Sequence, residues 1–268
     1  MAVAAGVGKV ALITGSTSCD GIGYAIAKSL AKNGFDIILH GRRSEVDVEP
    51  LKEQLQREFK VKCHYLTADL LQRSEIEILC HNKIAALYPN GVDVLVNNAG
   101  RNVRAPLESF PVDGWDEIIK VNLTAPFDFI RLTVGAMKKK GWGRIINISS
   151  VYSKKVRNTD VAYICSKHGL DGLTKTVAND CFGTGVTCNS ICPALVRTAM
   201  ITTSIQTRAE LDGMSFEESE AVYLKARNPS GQYVTVEQVA DVAAFLCTPA
   251  ADQITGASIP LDAGSWSQ

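Results

Sequence analysis

The sequence lacks the features that mark membrane proteins, nucleic-acid binders and disulfide-stapled secreted domains. No hydrophobic run among its 268 residues approaches the ~20 that a membrane span requires. Neither sign of charge dominates: 28 Lys and Arg balance 28 Asp and Glu, with a pI near 6.9. That balance argues against nucleic acid or an anionic membrane as the main partner. The opening MAVAAGVGKVALITG has no charged n-region and reaches Lys9 early, so no secretory leader is expected. Repeats, low-complexity segments and Pro/Gly-rich linkers are missing, and one domain over 1–268 is expected. The eight cysteines, at 19, 63, 80, 165, 181, 188, 192 and 247, form no CxxC pair and have no His at ligand spacing. No metal site is therefore expected. Scattered in apolar runs, they predict small buried hydrophobes kept reduced in a cytoplasmic location.

What is present is an alternation of short apolar runs with helix-period stretches. Strands are expected at 9–14, 36–40, 62–67, 92–97, 143–149, 186–191 and 258–261, and helices near 21–33, 48–60, 72–88, 113–140, 161–182 and 235–247. This order predicts an α/β fold, a doubly wound parallel sheet of Rossmann type. VALIT, VDVLVN and RIINIS are almost continuously apolar, as strands covered on both faces must be. The polar stretch 198–234 has no strand signal and predicts a helical lid over a substrate.

The first run leads into Thr14-Gly15-Ser16-Thr17-Ser18-Cys19-Asp20-Gly21-Ile22-Gly23 and then a helix. Glycines let the backbone approach a pyrophosphate resting on helix N-terminal amides. Gly15, Ser16, Thr17, Gly21, Ile22 and Gly23 are thus candidate cofactor contacts; a turn that merely joins strand to helix is the alternative. His40-Gly41-Arg42-Arg43 offers no carboxylate for an adenosine 2′-OH. Two guanidiniums suit a 2′-phosphate and lean to NADP, with solvated surface arginines as the alternative. Asp20, if it faced the ribose, would oppose that phosphate and favour NAD. Asn97-Asn98-Ala99-Gly100 ends the fourth strand, at the edge where such sheets bind ligands, or else is a turn. Tyr163 and Lys167 lie four apart, on one face of a helix. A nearby ammonium lowers a phenol from its usual pKa of about 10, so Tyr163 could exchange a proton with an alcohol or carbonyl near neutrality. A second such pair, Tyr24 and Lys28, reads as one side of an amphipathic helix. Context separates them: thirteen residues before Tyr163 stands Ser150, and thirteen before Tyr24 stands Ala11.

With the Gly loop, Asp69 in ADL, the NNAG segment, Asn122 in VNL, Ser150, Tyr163 and Lys167, the sequence resembles a short-chain dehydrogenase/reductase. PALVRT (Pro193 to Thr198) and Ile254-Thr255-Gly256 through Asp262 extend the resemblance over essentially the whole chain. It implies Tyr163 as general acid/base and Lys167 as the group that lowers its pKa and holds the nicotinamide ribose. Ser150 would bind the reacting oxygen, and Asn122 would hold a water in a proton relay. The cofactor set NAD(P) would further include Asp69 at the adenine, with Leu70, Asn97, Ala99, Gly100, Pro193, Val196 and Thr198. A small alcohol or ketone as partner and a homotetramer built around the Tyr163 helix are also implied. The sequence departs in three places: Cys19-Asp20 looks inserted, and Ala194 and Ala263 stand where the family has Gly. Two other classes compete with an oxidoreductase. A dinucleotide-binding sensor or scaffold would show damage among Asn122, Ser150, Tyr163 and Lys167, and a Rossmann-like methyltransferase would have no use for the Tyr–Lys pair.

Within the family, GSTS, MKKKGWGRIINIS and NPSGQYVTVEQVADVAAFL resemble D-3-hydroxybutyrate dehydrogenases. The resemblance fails at the residues that would clamp a carboxylate. Asp160 stands in place of a Lys, Tyr152 in place of a His, Asn102 and Ser204 in place of Gln. With Ser150 and Tyr163 these line the expected substrate site. An anion beside Asp160 is disfavoured unless a cation compensates; Arg101 and Arg104 are the candidates. 3-Hydroxybutyrate is accordingly expected to be a poor substrate.

Overall fold

In the computed structural model, which describes residues 6–267, seven parallel strands form one sheet. They are β1 (Val10–Ile13), β2 (Asp36–Gly41), β3 (Cys63–Thr67), β4 (Val94–Asn97), β5 (Gly143–Ile148), β6 (Val186–Pro193) and β7 (Ser258–Leu261). Their order is β3-β2-β1-β4-β5-β6-β7, so the chain reverses its direction of growth between β1 and β4. All seven expected strands are present, and the doubly wound fold is the one expected.

Why the runs are apolar at every position is visible in β1. Ala11 and Ile13 pack into the core on one face, Val10 and Leu12 into the core on the other. The same period of two divides Ile37 and Leu39 from Ile38 in β2, and Val94 and Val96 from Leu95 in β4. One face is covered by α1 (Ile22–Lys32), α2 (Glu45–Phe59) and α10 (Val236–Phe245). The other is covered by α3 (Arg73–Ile78), which runs through a π-helical turn (Leu79–Ile84) into α4 (Ala85–Leu87), and by α6 (Ala125–Lys140) and α7 (Val161–Asp180). Before α6, α5 (Val112–Ile119) leads into a second π-helical turn, Lys120–Thr124. α2 starts three residues earlier than the periodicity suggests because Ser44 caps it, accepting from the Asp47 N–H.

The stretch 198–234 folds into two helices, α8 (Ala199–Asp212) and α9 (Phe216–Lys225). They share a small core of Leu195, Ile205 and Tyr223. Asn228, fully buried, ties the return of this segment to the end of β6. It exchanges hydrogen bonds with Leu195 N–H and C=O at 3.0 and 3.1 Å. Tyr24 is buried on α1, its hydroxyl donating to Leu51 O and Gln54 Oε1, the packing role expected of the second Tyr–Lys pair. Six cysteines are buried thiols; Cys19 and Cys165 are exposed instead, because one sits on the tip of the Gly loop and the other on the outer side of α7. No helix among the described residues is long and apolar enough to cross a membrane.

Candidate active site

The reversal of strand order between β1 and β4 opens a crevice at the carboxyl ends of the strands. Gly15 has φ of +64°, and a Cβ there would lie 2.8 Å from Ala99 Cα. A Cβ on Gly23 would lie 2.5 Å from the Asn98 amide. Thr14 Oγ1 accepts from Asn98 and Ala99 N–H, and Asn98 Nδ2 donates to Thr14 and Gly15 carbonyls. Gly loop and NNAG segment therefore form one floor, with Gly100 leading away from it. Above it, α1 begins at Gly21 with no side-chain cap and no acid in its first turn. Free amides of Ile22 and Gly23 over a floor that admits no side chain suit a pyrophosphate. The residues present fit a dinucleotide.

Around this floor the predicted cofactor residues take different parts. Ser16 is fully buried; its hydroxyl donates to Ile13 O at 2.8 Å and accepts from His40 N–H at 3.0 Å, so it fastens the loop to β2. Thr17 packs on Gly41, where a Cβ would meet it at 2.7 Å. The next residue, Arg42, is exposed, its guanidinium 3.8 Å from the Asp69 carboxylate. Arg43 is exposed too. Asp20 is held within its own turn, accepting from Ser18 Oγ at 2.6 Å. Leu70 is buried beside Asp69. Asn97 Nδ2 donates to Asn147 Oδ1 at 2.8 Å, tying β4 to β5. On the far side, Pro193 ends β6, Val196 is bridged to Val234, and Thr198 opens α8.

Ser150 follows β5, and Tyr163 and Lys167 project from one side of α7. Lys167 is buried, donates to Ile148 O at 2.8 Å, and lies 5.5 Å from the centre of the Tyr163 ring. Burial pushes its pKa down to about 8. Tyr163 does not show the lowered pKa expected of it. Burial raises the phenol above its usual value, and Ser150 and the charge of Arg157 only partly offset this. Asn122 lies in the second π-helical turn and is buried. Its side chain accepts from Arg101 N–H at 2.9 Å and donates to Arg101 O and Ser166 Oγ. That amide braces the loop after NNAG against α7, so a relay water would have to use its backbone carbonyl.

Asp160, at the N-cap of α7, is buried but not alone. Asn102 Nδ2 donates to it at 2.7 Å, Arg104 at 3.2 Å, and Arg157 pairs with its other oxygen. Arg101 turns away to Glu117 at 2.6 Å, so of the two expected compensating cations only Arg104 serves. Arg157 is the residue that the sequence reading missed. It lies three before Asp160, stacks 4.7 Å over the Tyr152 ring, and acts on Tyr163. The i,i+3 Arg–Asp spacing was its one available signal. The repulsion expected at Asp160 is thereby cancelled, and with it the reason for excluding a carboxylate substrate. The side chain of Ser204 lies outside the described residues.

A family model described as short chain dehydrogenase matches residues 9–209. The D-beta-hydroxybutyrate dehydrogenase of Cupriavidus necator is 39% identical over 260 residues, covering 97% of this chain and 98% of that protein. That of Rhizobium meliloti is 41% identical over 258 residues, covering 96% and 98%. Among solved structures, a single-substitution variant of actinorhodin polyketide ketoreductase with NADPH is 33% identical, with a TM-score of 0.88 and full coverage of both chains.

Proposed function

Because this chain belongs to the short-chain dehydrogenase family and is an NAD(P)-dependent oxidoreductase acting on CH–OH groups, we propose how its own residues divide the work. Tyr163 passes the proton to and from the reacting oxygen, and Ser150 binds that oxygen. Lys167 holds the nicotinamide ribose and places positive charge beside the phenol. Asn122 braces Arg101 and Ser166 so that floor and α7 keep their distance. When bound, the nicotinamide supplies or accepts the hydride. The amides of Ile22 and Gly23 hold the pyrophosphate over Gly15, while Thr17, Asp69, Leu70, Asn97, Ala99 and Gly100 line the adenosine and ribose path. Pro193, Val196 and Thr198 close the nicotinamide end. The observation that carries this reading is the approach of Lys167 to the Tyr163 ring, beside the end of β5 after which Ser150 stands.

NADP is the preferred form. In support, Arg42 is exposed beside Asp69 at the end of β2, and Asp20 is bonded to Ser18. Residues 1–268 act as one domain whose α8–α9 segment forms the lid; the family likeness supports a homotetramer built around α7. Free thiols at all eight cysteines support a cytoplasmic location. The test is a screen of small alcohols, ketones and hydroxy acids with NAD and NADP in parallel, following reduced nicotinamide. Turnover of a secondary alcohol or ketone, faster with NADP, is expected; turnover with neither cofactor contradicts the reading.

A further inference from the structure

Between α8, α9 and the loop 157–159 lies an open recess of about 350 Å³. Four guanidiniums line it, from Arg104, Arg157, Arg208 and Arg227, together with Tyr223, and among the described residues no acidic one does. Arg208 is paired with Asp212, which is not part of the recess wall. Arg104 and Arg157 share a single carboxylate, Asp160. Arg227 has no ion pair among the described residues. It stacks 3.3 Å over the Tyr223 ring, donates to Tyr223 O at 3.1 Å, and leaves its buried Nε without a partner. Arg104, Arg157 and Arg227 thus have one carboxylate between them among the described residues.

These cations are held ready. Thr159 takes the left-handed φ of +68° that few non-glycine residues adopt. Its carbonyl accepts from Ala105 N–H at 3.1 Å, which pins the Arg157 loop to the Arg104 loop. Arg104 also donates to the Tyr223 hydroxyl at 3.3 Å, joining that pair of loops to α9. Burial lowers the Arg227 pKa, and the like charges of Arg157 and Arg104 add to the lowering. One residue of the recess wall, Arg157, is near enough for its charge to act on Tyr163. Asp160 precedes Tyr163 by about one helical turn, and Arg157 rests on Tyr152, two residues beyond Ser150.

Building on the oxidoreductase reading above, we propose that the substrate carries an oxyanion, a carboxylate or a phosphate, and that Arg157 and Arg227 clamp it in this recess. Asn102, Arg104 and Asp160 are positioning residues that fix Arg157. A guanidinium takes either group through two parallel N–H donors, and the turn after α9 places Arg227 in the same recess. The clamp differs from a lysine-and-histidine one in every residue, yet presents the same sign of charge.

The experiment compares kcat/KM for 3-hydroxybutyrate and malate with that for their methyl esters, and for glycerol 3-phosphate with that for glycerol. An acid or phosphate is expected to exceed its neutral partner by about 10- to 100-fold, the scale of one charge-assisted bond; the preferred arm names the anion. Arg227→Gln and Arg157→Gln should raise KM for the anion more than they lower kcat, collapsing the ratio of charged to neutral substrate toward one. Equal rates for charged and neutral substrates in the wild type overturn the proposal, as does a ratio unchanged in both variants. Should a variant fail to fold, the wild-type ratio decides. Competition by inorganic phosphate against the acid supports the clamp, and its absence at saturating phosphate counts against it. A failure of the oxidoreductase reading is told apart by its own sign: neutral ketones would then also show no turnover, and added NADPH would not change the melting temperature.

Discussion

Burial moves Tyr163 and Lys167, both on α7, in opposite directions, Tyr163 up and Lys167 down to about 8. The phenol is therefore protonated at neutrality, a proton donor ready for ketone reduction. Alcohol oxidation needs the deprotonated phenol, so its rate should climb with pH through the alkaline range, while reduction stays level until the phenol titrates. Rate profiles in both directions check this. The spacing of Tyr163 and Lys167 was legible from the sequence; the sign of the phenol shift was not, because spacing reports proximity and says nothing of desolvation. His40 gives a second residue-scale prediction. It is buried edge-on to Phe129, at 5.9 Å, and burial lowers its pKa to about 4 from 6.5. A depressed folded pKa gives stability that is complete above the unfolded value and lost as pH falls through the folded one. Unfolding in urea should show a loss of about 2 kcal/mol between pH 7 and pH 5 from this group. In His40→Phe, with no imidazole to charge, that part of the loss should disappear.

At the scale of the element, the strands were legible because each is buried on both faces and its apolar run is unbroken. The π-helical turn that carries Asn122 left no such mark: its sequence, KVNLT, keeps the helical pattern on either side. The Arg157–Asp160–Arg104 cluster was equally hidden, since it joins a loop after β4 to the start of α7. In the Gly loop the geometry predicts a sharp effect. Gly15→Ala places a Cβ against Ala99 backbone at a positive φ, costing on the order of 1–3 kcal/mol. It should abolish NADPH binding in a fluorescence titration while the far-UV spectrum stays native. Ala263 presents the converse case. It holds φ of +50°, a backbone conformation that favours glycine, so Ala263→Gly should leave stability unchanged or raise it by up to about 1 kcal/mol in urea unfolding.

For the whole molecule, the balance of 28 basic and 28 acidic residues conceals an uneven distribution. Positive charge collects at two places: Arg42 at the end of β2 and the Arg104–Arg157–Arg227 group beside α8 and α9. The first predicts that NADP raises the melting temperature more than NAD at equal concentration, and that Arg42→Ala narrows the gap. Turnover, however, rests on one side chain. The most direct measurement is NADPH binding and steady-state turnover of Tyr163→Phe beside the wild type, on the substrate that the cofactor screen identifies. The phenyl ring keeps the packing and removes only the hydroxyl, so cofactor affinity should be retained and kcat should fall by about a thousandfold. Turnover within tenfold of the wild type, with the same affinity, would contradict the assignment of Tyr163 as the acid and base.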